Sequence, residues 1–454
     1  MRILIISLLD DNFGDNLIRI CFERLLRVVL MNLDIQEYQI RKMPLKQIDI
    51  ELIKNCDCVF FAGGGLFGLS YLGFFEYVDK VTELADEYDI PVVFSSLGIN
   101  NMDAISENEV ALMEILERRC IKAISVRENV EFFREYSRGC DYEIRVVCDP
   151  AVWAKHVYNI KDESISETIG INVVRGGLFK DNKKEWTLAD ELEYLYKLKC
   201  LLDNSGLKYQ FFTNGSFLDD NALRYFAKVR SIPENQVTYS HTTRQVVETI
   251  STFKSVIALR MHSSIVAYSF GIPSVALSWN PKIPHFYRNI NHPERALEFA
   301  DWDSVTVYNE LKSIAFCKEN QEQDLEYVDY LMSLYSYLYD VVSKLFLGNE
   351  NSNRAYAYNF SEIRERLAEL SSSIQEDELD MLIKISKAEN HYLARFVELK
   401  RKADEMSALH KELNRTKAEL NRLNRTLVIR LYKFTKHIVK KVIERSKHIL
   451  KLSN

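Results

Sequence analysis

Short, unbroken apolar runs alternate along this chain with longer segments whose apolar residues recur every three or four positions. ILIIS (3–7) reads as a buried strand and residues 16–32 as a helix. CDCVFFAGGG (56–65) is a strand running into a glycine loop, followed by a helical pattern over 74–88. PVVFSSLGIN (91–100), AISVRE (123–128) and YEIRVVCDPA (142–151) repeat the strand pattern, with a helix over 107–119 between the first two. Strands that are apolar throughout, separated by helices, predict a parallel sheet covered on both faces.

A second series begins at TIGINVVRGG (168–177). It continues through a helix over 188–204, the strand YQFFTNG (209–215) and a helix over 219–231. The strand at 256–259 then runs straight into Arg260, Met261 and His262. A small-residue helix start follows at Ser263 and Ser264, and another strand at 274–277. The predicted fold class is therefore α/β, with two Rossmann-like domains, 1–160 and 161–347, facing a cleft. An aromatic-rich helix over 325–346 closes the globular part.

GNENSNRAYAYN (348–359) begins a polar linker, and 348–380 is expected to be linker and helix. Over 381–454 the pattern changes again. Leu399, Met406, Leu413, Leu420, Leu427 and Phe434 recur every seven residues, interleaved with the more polar row Ala403, His410, Lys417, Asn424, Leu431 and Ile438. This predicts a C-terminal α-helical coiled coil, most simply a parallel homodimer, or else one long helix packing on its own globular part. RLYKFTKHIVKKVIERSKHILK (430–451) carries eight Lys and Arg against one Glu, with Leu431, Phe434, Ile438 and Val442 on one stripe. A basic amphipathic helix of this kind suits an anionic membrane surface.

Composition narrows these expectations. The chain has 454 residues, 47% of them apolar, which is enough for two or three domains with cores. A net charge of −6 gives the whole no nucleic-acid signature. The eight cysteines lie mostly inside apolar runs and are expected to be reduced core thiols, implying the cytoplasm. The first apolar run is too short for a signal peptide, and no stretch approaches the roughly 20 apolar residues of a membrane span. No two histidines have the spacing of a helical metal site, and His292 and His410 have no second His or Cys nearby, so no metal or cofactor is indicated.

Chemistry gathers where strands end. Strand C-termini feeding helix N-termini are where open α/β sheets hold anions. Arg260 and His262 stand at such a point, with Arg175 and Asn214 ending other strands and Lys282 just after the last. Arg offers a two-pronged donor for phosphate or carboxylate, Lys a point charge, and an imidazole can move a proton. In the first half, Gly14 permits a tight turn before Asp15 and Asn16, which could cap a helix or meet a sugar hydroxyl. Gly63, Gly64 and Gly65 remove every β-carbon from one loop, admitting either a ligand or a closely packed helix. They lack the spacing and the Lys of a phosphate-binding P-loop. Arg127 could bind an anion or pair with a carboxylate such as Glu128. Asp149, held extended by Pro150, reads as a turn organiser rather than a base.

GDN (14–16), GGG (63–65), SLG (96–98), SVRE (125–128), DPA (149–151) and RMHSSIVAYSFGIPSVALSWNPKI (260–283) together resemble the polysaccharide pyruvyl transferase family. The resemblance implies a GT-B-like arrangement and transfer of pyruvate as a ketal from phosphoenolpyruvate to sugar hydroxyls. Arg175, Arg260 and Lys282 would bind the donor, and His262 would act as acid or cation stabiliser. The glycan acceptor, in a surface polysaccharide or its lipid-linked precursor, would lie against the first domain near Asp15 and Gly63–Gly65. No metal is implied. The basic tail would hold such an enzyme at the inner face of the cytoplasmic membrane. Two other readings compete. A nucleotide-sugar glycosyltransferase would use an acidic residue such as Glu234, Asp219 or Asp220. A scaffold built on the coiled coil would need no intact site.

Overall fold

The computed structural model describes residues 1–8, 13–67, 74–99, 106–161, 166–175, 179, 185–314, 324–348, 359–373, 409, 412–419, 422 and 430–441. Met1–Ile385 forms one compact unit and Ser386–Asn454 a second.

The larger unit contains two parallel six-stranded sheets. The first is built from β1 (Arg2–Ser7), β2 (Gln39–Pro44), β3 (Cys58–Ala62), β4 (Val92–Leu97), β5 (Ile121–Val126) and β6 (Ile144–Val146), in the order β2-β1-β3-β4-β5-β6. The second contains β7 (Thr168–Asn172), β8 (Lys208–Phe212), β9 (Val237–Thr238), β10 (Ser255–Ala258), β11 (Ser274–Leu277) and β12 (Ala296–Leu297), in the order β12-β11-β10-β7-β8-β9. Every pairing is parallel. The central strands β3, β4, β10 and β11 are buried at every residue, which is why they read as unbroken apolar runs.

Strand order reverses once in each sheet: between β1 and β3 in the first and between β7 and β10 in the second. Crevices at the C-terminal ends of such switch points are where doubly wound sheets bind ligands. Asp15, Asn16 and Gly63–Gly65 follow the first switch point; Arg175, Arg260 and His262 follow the second. The paired motifs thus belong to matching places in two sheets.

The two sheets share one continuous apolar core. It runs from Ile3 and Leu25 through Trp153 to Ile265 and Leu338. Helix Phe13–Asn32 is buried on nearly all sides because the first sheet, the short 3-10 helix Pro150–Trp153 and helices Leu325–Leu347 and Phe360–Leu370 cover it. Helix Leu325–Leu347 lies against the first domain. Tyr337 Oη donates to the Phe94 carbonyl at 2.8 Å, Trp153 Nε1 donates to the Leu331 carbonyl at 3.2 Å, and Arg145 pairs with Asp340 at 2.6 Å. Gly348, at φ 64°, ends this helix in the left-handed conformation that favours glycine.

In the second unit the described residues 412–419 and 430–441 are helical. Their apolar side chains Leu413, Leu431, Phe434, Ile438 and Val439 are exposed. The rest of the heptad register, with most of the 348–359 linker, lies outside the described residues. Seven cysteines are free thiols, five of them buried; Cys317 also lies outside the described residues. Among the described residues no helix is long and apolar enough to cross a membrane.

Candidate active site

Arg260 caps helix Met261–Ser269 at the end of β10, and its backbone N–H donates to Asn172 Oδ1 at 2.8 Å, tying the ends of β10 and β7 together. Its guanidinium grips both oxygens of Asp219, from Nε at 2.9 Å and Nη2 at 2.8 Å. Asp219 has no exposed surface and also accepts the Arg175 backbone N–H at 2.8 Å. One buried carboxylate therefore sets the side chain of one predicted donor ligand and the backbone of another. Asn214 joins this scaffold, its Oδ1 accepting from Asn172 Nδ2 at 3.0 Å and from Ser263 Oγ at 2.8 Å.

His262 sits in the first turn of the same helix and faces the first domain. Gly14, Asp15 and Asn16 lie within helix Phe13–Asn32 and not in a tight turn or cap before it; a β-carbon at Gly14 would overlap the His262 ring, so its absence is what lets the helix approach the imidazole. His262 Nε2 is buried with no hydrogen-bond partner among the described residues and lies 3.8 Å from Asp149 Oδ2. Burial pushes the imidazole down to about 4; Asp149 opposes this, while Arg127, Lys282 and Arg260 reinforce it. The ring is therefore neutral near pH 7.

Asp149 is the turn organiser that the sequence favoured, and its second oxygen is paired with Arg127. One oxygen accepts the Ala151 N–H at 2.9 Å and caps the short helix, as expected of a turn organiser. The other meets the Arg127 guanidinium and faces His262. Arg127 is buried and also lies 3.3 Å from Glu128. Burial works against its charge, but Glu128, Asp149 and Asp15 outweigh that and hold the guanidinium above its usual range. Arg127 is thus paired within the protein. The Arg127 carbonyl accepts from Asn289 Nδ2 at 2.9 Å, a bond from the second domain to the first.

Lys282 opens helix Lys282–Asn289 and is partly buried. Burial and Arg127 pull its ammonium down to about 8, against Glu128, Asp15 and Asp149. All four neighbours belong to the first domain, so Lys282 brings a cation from the second sheet to the loops of the first. Asn16 is buried, and an added β-carbon at Gly64 would lie 3.9 Å from Asp15 Oδ1. At Gly63 an added β-carbon would lie 2.6 Å from Ile18 Cγ2, so its lack of one serves strand–helix packing. Gly65 is buried beside them. Gly176 and Gly177, beyond Arg175, lie outside the described residues.

The structure brings Arg260, His262, Lys282, Arg127 and Asp15 into one electrostatic cluster spanning the two domains. Asp149, Glu128 and Asp219 complete it and were not among the predicted site residues. Asp149 and Glu128 stand inside the DPA and SVRE motifs, which could have marked them. Both oxygens of Asp219, one of the acids that a sugar-donor site would use, are taken up by Arg260 and Arg175. Behind it, burial and Asp219 push the Glu191 carboxyl up to about 8, against the Val174 backbone and Arg260. Glu191 thus holds its proton more tightly than an exposed carboxyl does. Among the described residues, no group of three or more His, Cys, Asp or Glu is placed to hold a metal ion.

Two parallel sheets, with Arg260, His262 and Lys282 of the second brought beside Asp15, Arg127 and Asp149 of the first, define a two-domain α/β protein. A sequence model of the polysaccharide pyruvyl transferase family matches residues 12–281. The chain belongs to that family. Similar solved structures include UDP-GlcNAc 2-epimerase from Methanocaldococcus jannaschii, at 10% identity and TM-score 0.45, covering 74% of this chain and 100% of that one. The same enzyme from Neisseria meningitidis gives 10% identity and TM-score 0.45, covering 77% and 100%. An α,α-trehalose 6-phosphate synthase from Burkholderia multivorans gives 8% identity and TM-score 0.38, covering 75% and 83%. No curated protein matches the chain by sequence.

Proposed function

We propose that the chain transfers pyruvate as a cyclic ketal from phosphoenolpyruvate to two hydroxyls of a sugar in a polysaccharide or its precursor, with its two domains in a GT-B-like arrangement. The observation that carries this reading is the cluster of Arg260 and Lys282 around a neutral His262 whose side chain is 12% exposed. Cations held by a rigid frame suit an anionic donor. Arg260, Arg175 and Lys282 bind its phosphate and carboxylate. The acceptor lies on the first-domain wall near Asp15 and the glycine loop.

The reaction needs one proton delivered to the donor methylene. One sugar hydroxyl oxygen bonds to C2 while C3 becomes a methyl group. The second hydroxyl then bonds to C2 as the bond to phosphate breaks. Two hydroxyl protons are released; one replaces the proton given to C3 and the other leaves with phosphate. Before donor binding, burial first and then Arg127, Lys282 and Arg260 hold proton affinity at His262 low. The donor's negative charges offset that push, so His262 takes up a proton as the donor binds, and Asp149 at 3.8 Å stabilises the imidazolium. His262 then serves as the acid at C3.

The test is phosphate release from phosphoenolpyruvate by the purified protein, with and without candidate glycans. Phosphoenolpyruvate binding should survive His262→Ala and be lost in Arg260→Ala. A wild-type protein that binds a nucleotide sugar and not phosphoenolpyruvate would refute the reading. The exposed apolar and basic faces of residues 430–441 support the further proposal that the tail contacts an anionic membrane or pairs with a second copy. Vesicle sedimentation and the oligomeric state of full-length chain, set against a chain ending near residue 425, test both; equal behaviour removes the proposal.

A further inference from the structure

On the outer side of the second domain, a cavity of about 670 Å³ lies between the start of helix Leu188–Asn204 and the Phe299–Val305 segment. That volume falls within the roughly 300–1,000 Å³ of small-molecule sites. Its walls include Trp186, Tyr194, Phe299 and Trp302, packed edge to face at centroid distances of 5.0 to 6.0 Å. Trp186 and Phe299 remain partly exposed. Two polar atoms here are buried with no hydrogen-bond partner among the described residues: Tyr194 Oη and Trp186 Nε1. Tyr194 is only 4% exposed. A donor left unmet within the protein favours a ligand that accepts from it.

The charges select the ligand. Glu185, Asp190, Glu193 and Asp303 line the cavity with Lys197; Glu193 is paired with Lys197 at 3.7 Å and with Arg230 at 2.9 Å, which leaves Glu185, Asp190 and Asp303 in excess. This excess of carboxylates repels phosphate, which argues against a nucleotide. A quaternary ammonium would suit the aromatic faces but offers no acceptor to the indole or the phenol. A neutral sugar ring meets all three demands: apolar C–H faces for the aromatics, acceptor oxygens for the two donors, and hydroxyl protons for the carboxylates. We propose that this cavity is an accessory saccharide site, in which a neutral sugar ring lies against Trp186 and Phe299 and accepts from Tyr194 Oη and Trp186 Nε1. Tyr194 stands one turn from Glu191 on the same helix, so the cavity adjoins the back of the Arg260–Asp219 anchor. The inference uses no donor-site residue and stands apart from the pyruvyl-transfer reading.

Titration calorimetry on the full-length protein, with cellotetraose, maltotetraose and chitotetraose as probes, tests it without reading turnover. Saturable binding of at least one probe is expected. Tyr194→Phe, which keeps the ring and removes the hydroxyl, should weaken it up to about tenfold, and Trp186→Phe, which removes the indole N–H together with part of the ring face, should weaken it at least as much. Binding should persist in Arg260→Ala and His262→Ala, so failure of the donor site stays distinguishable. Circular dichroism checks that each variant is folded. The proposal is overturned if no probe binds, if binding survives both aromatic variants unchanged, or if uridine monophosphate or choline binds in a Tyr194-dependent way instead.

Discussion

Replacing Asp219 with Asn tests whether one buried carboxylate sets the donor site. The substitution keeps the shape of the side chain but turns one acceptor oxygen into a donor. Arg260 now offers its two N–H groups, 2.9 and 2.8 Å from the two carboxylate oxygens. In the variant one of these contacts becomes donor against donor. A charge-assisted hydrogen bond contributes about 1.5–3 kcal/mol, and breaking a buried ion pair costs about 3–5 kcal/mol. Asp219 has no exposed surface and the Arg260 side chain is 18% exposed, so solvent screens little of this. Arg260 keeps its backbone bond to Asn172 while its guanidinium turns away from the position set by Asp219. A misplacement of about 1 Å costs on the order of 100-fold in a positioned site. Phosphoenolpyruvate affinity should therefore fall about 10- to 100-fold, read by calorimetry, with a matching loss of phosphate release. In an Arg260→Ala background the same change should add less than about threefold, because coupled residues are not additive. A folded Asp219→Asn protein that binds phosphoenolpyruvate as tightly as wild type would refute the argument.

Gly14→Ala should abolish turnover while leaving phosphoenolpyruvate binding nearly intact, since its new methyl displaces His262 and not Arg260; unchanged turnover would break the link between that glycine and the imidazole. His262 has a folded-state value of about 4 against 6.5 unfolded, so its contribution to stability is present above pH 6.5 and is lost as pH falls toward 4. About 3 kcal/mol should disappear over that window, and urea unfolding of His262→Gln should lack this part of the pH dependence. Tyr337→Phe removes the bond to the Phe94 carbonyl, so unfolding should show a loss of about 1 kcal/mol with turnover unchanged.

Much of the frame was legible in the chain. β4, β10 and β11 announced themselves because central parallel strands are apolar on both faces; helix Leu188–Asn204 was legible by its pattern, and the structure adds the capping box that Thr187 and Asp190 close at its start. β2 escaped because Gln39 and Arg41 are exposed on an edge strand, which leaves no continuous apolar run. β9 and β12 have two residues each, too short for any periodicity. Helices Thr243–Ser251 and Lys282–Asn289 are short, and the second carries Pro284 in its first turn.

The site divides in the same way. Arg260, His262 and Lys282 were visible because a cation or an imidazole after an apolar strand is conspicuous in sequence. The arrangement of charges around them was not. Asp219 lies 41 residues before Arg260, and Asp149 lies 22 after Arg127; no local pattern records either pairing. Arg127 could have held an anion or a carboxylate on sequence alone, and folding gave it Asp149 and Glu128. The sequence by itself determined two parallel sheets and the cation-bearing strand ends, because burial on two faces and strand-to-helix turns are local demands. Only the tertiary structure decided which acid holds which base and that His262 is neutral, because desolvation and Coulomb forces act through space between residues that the chain keeps far apart.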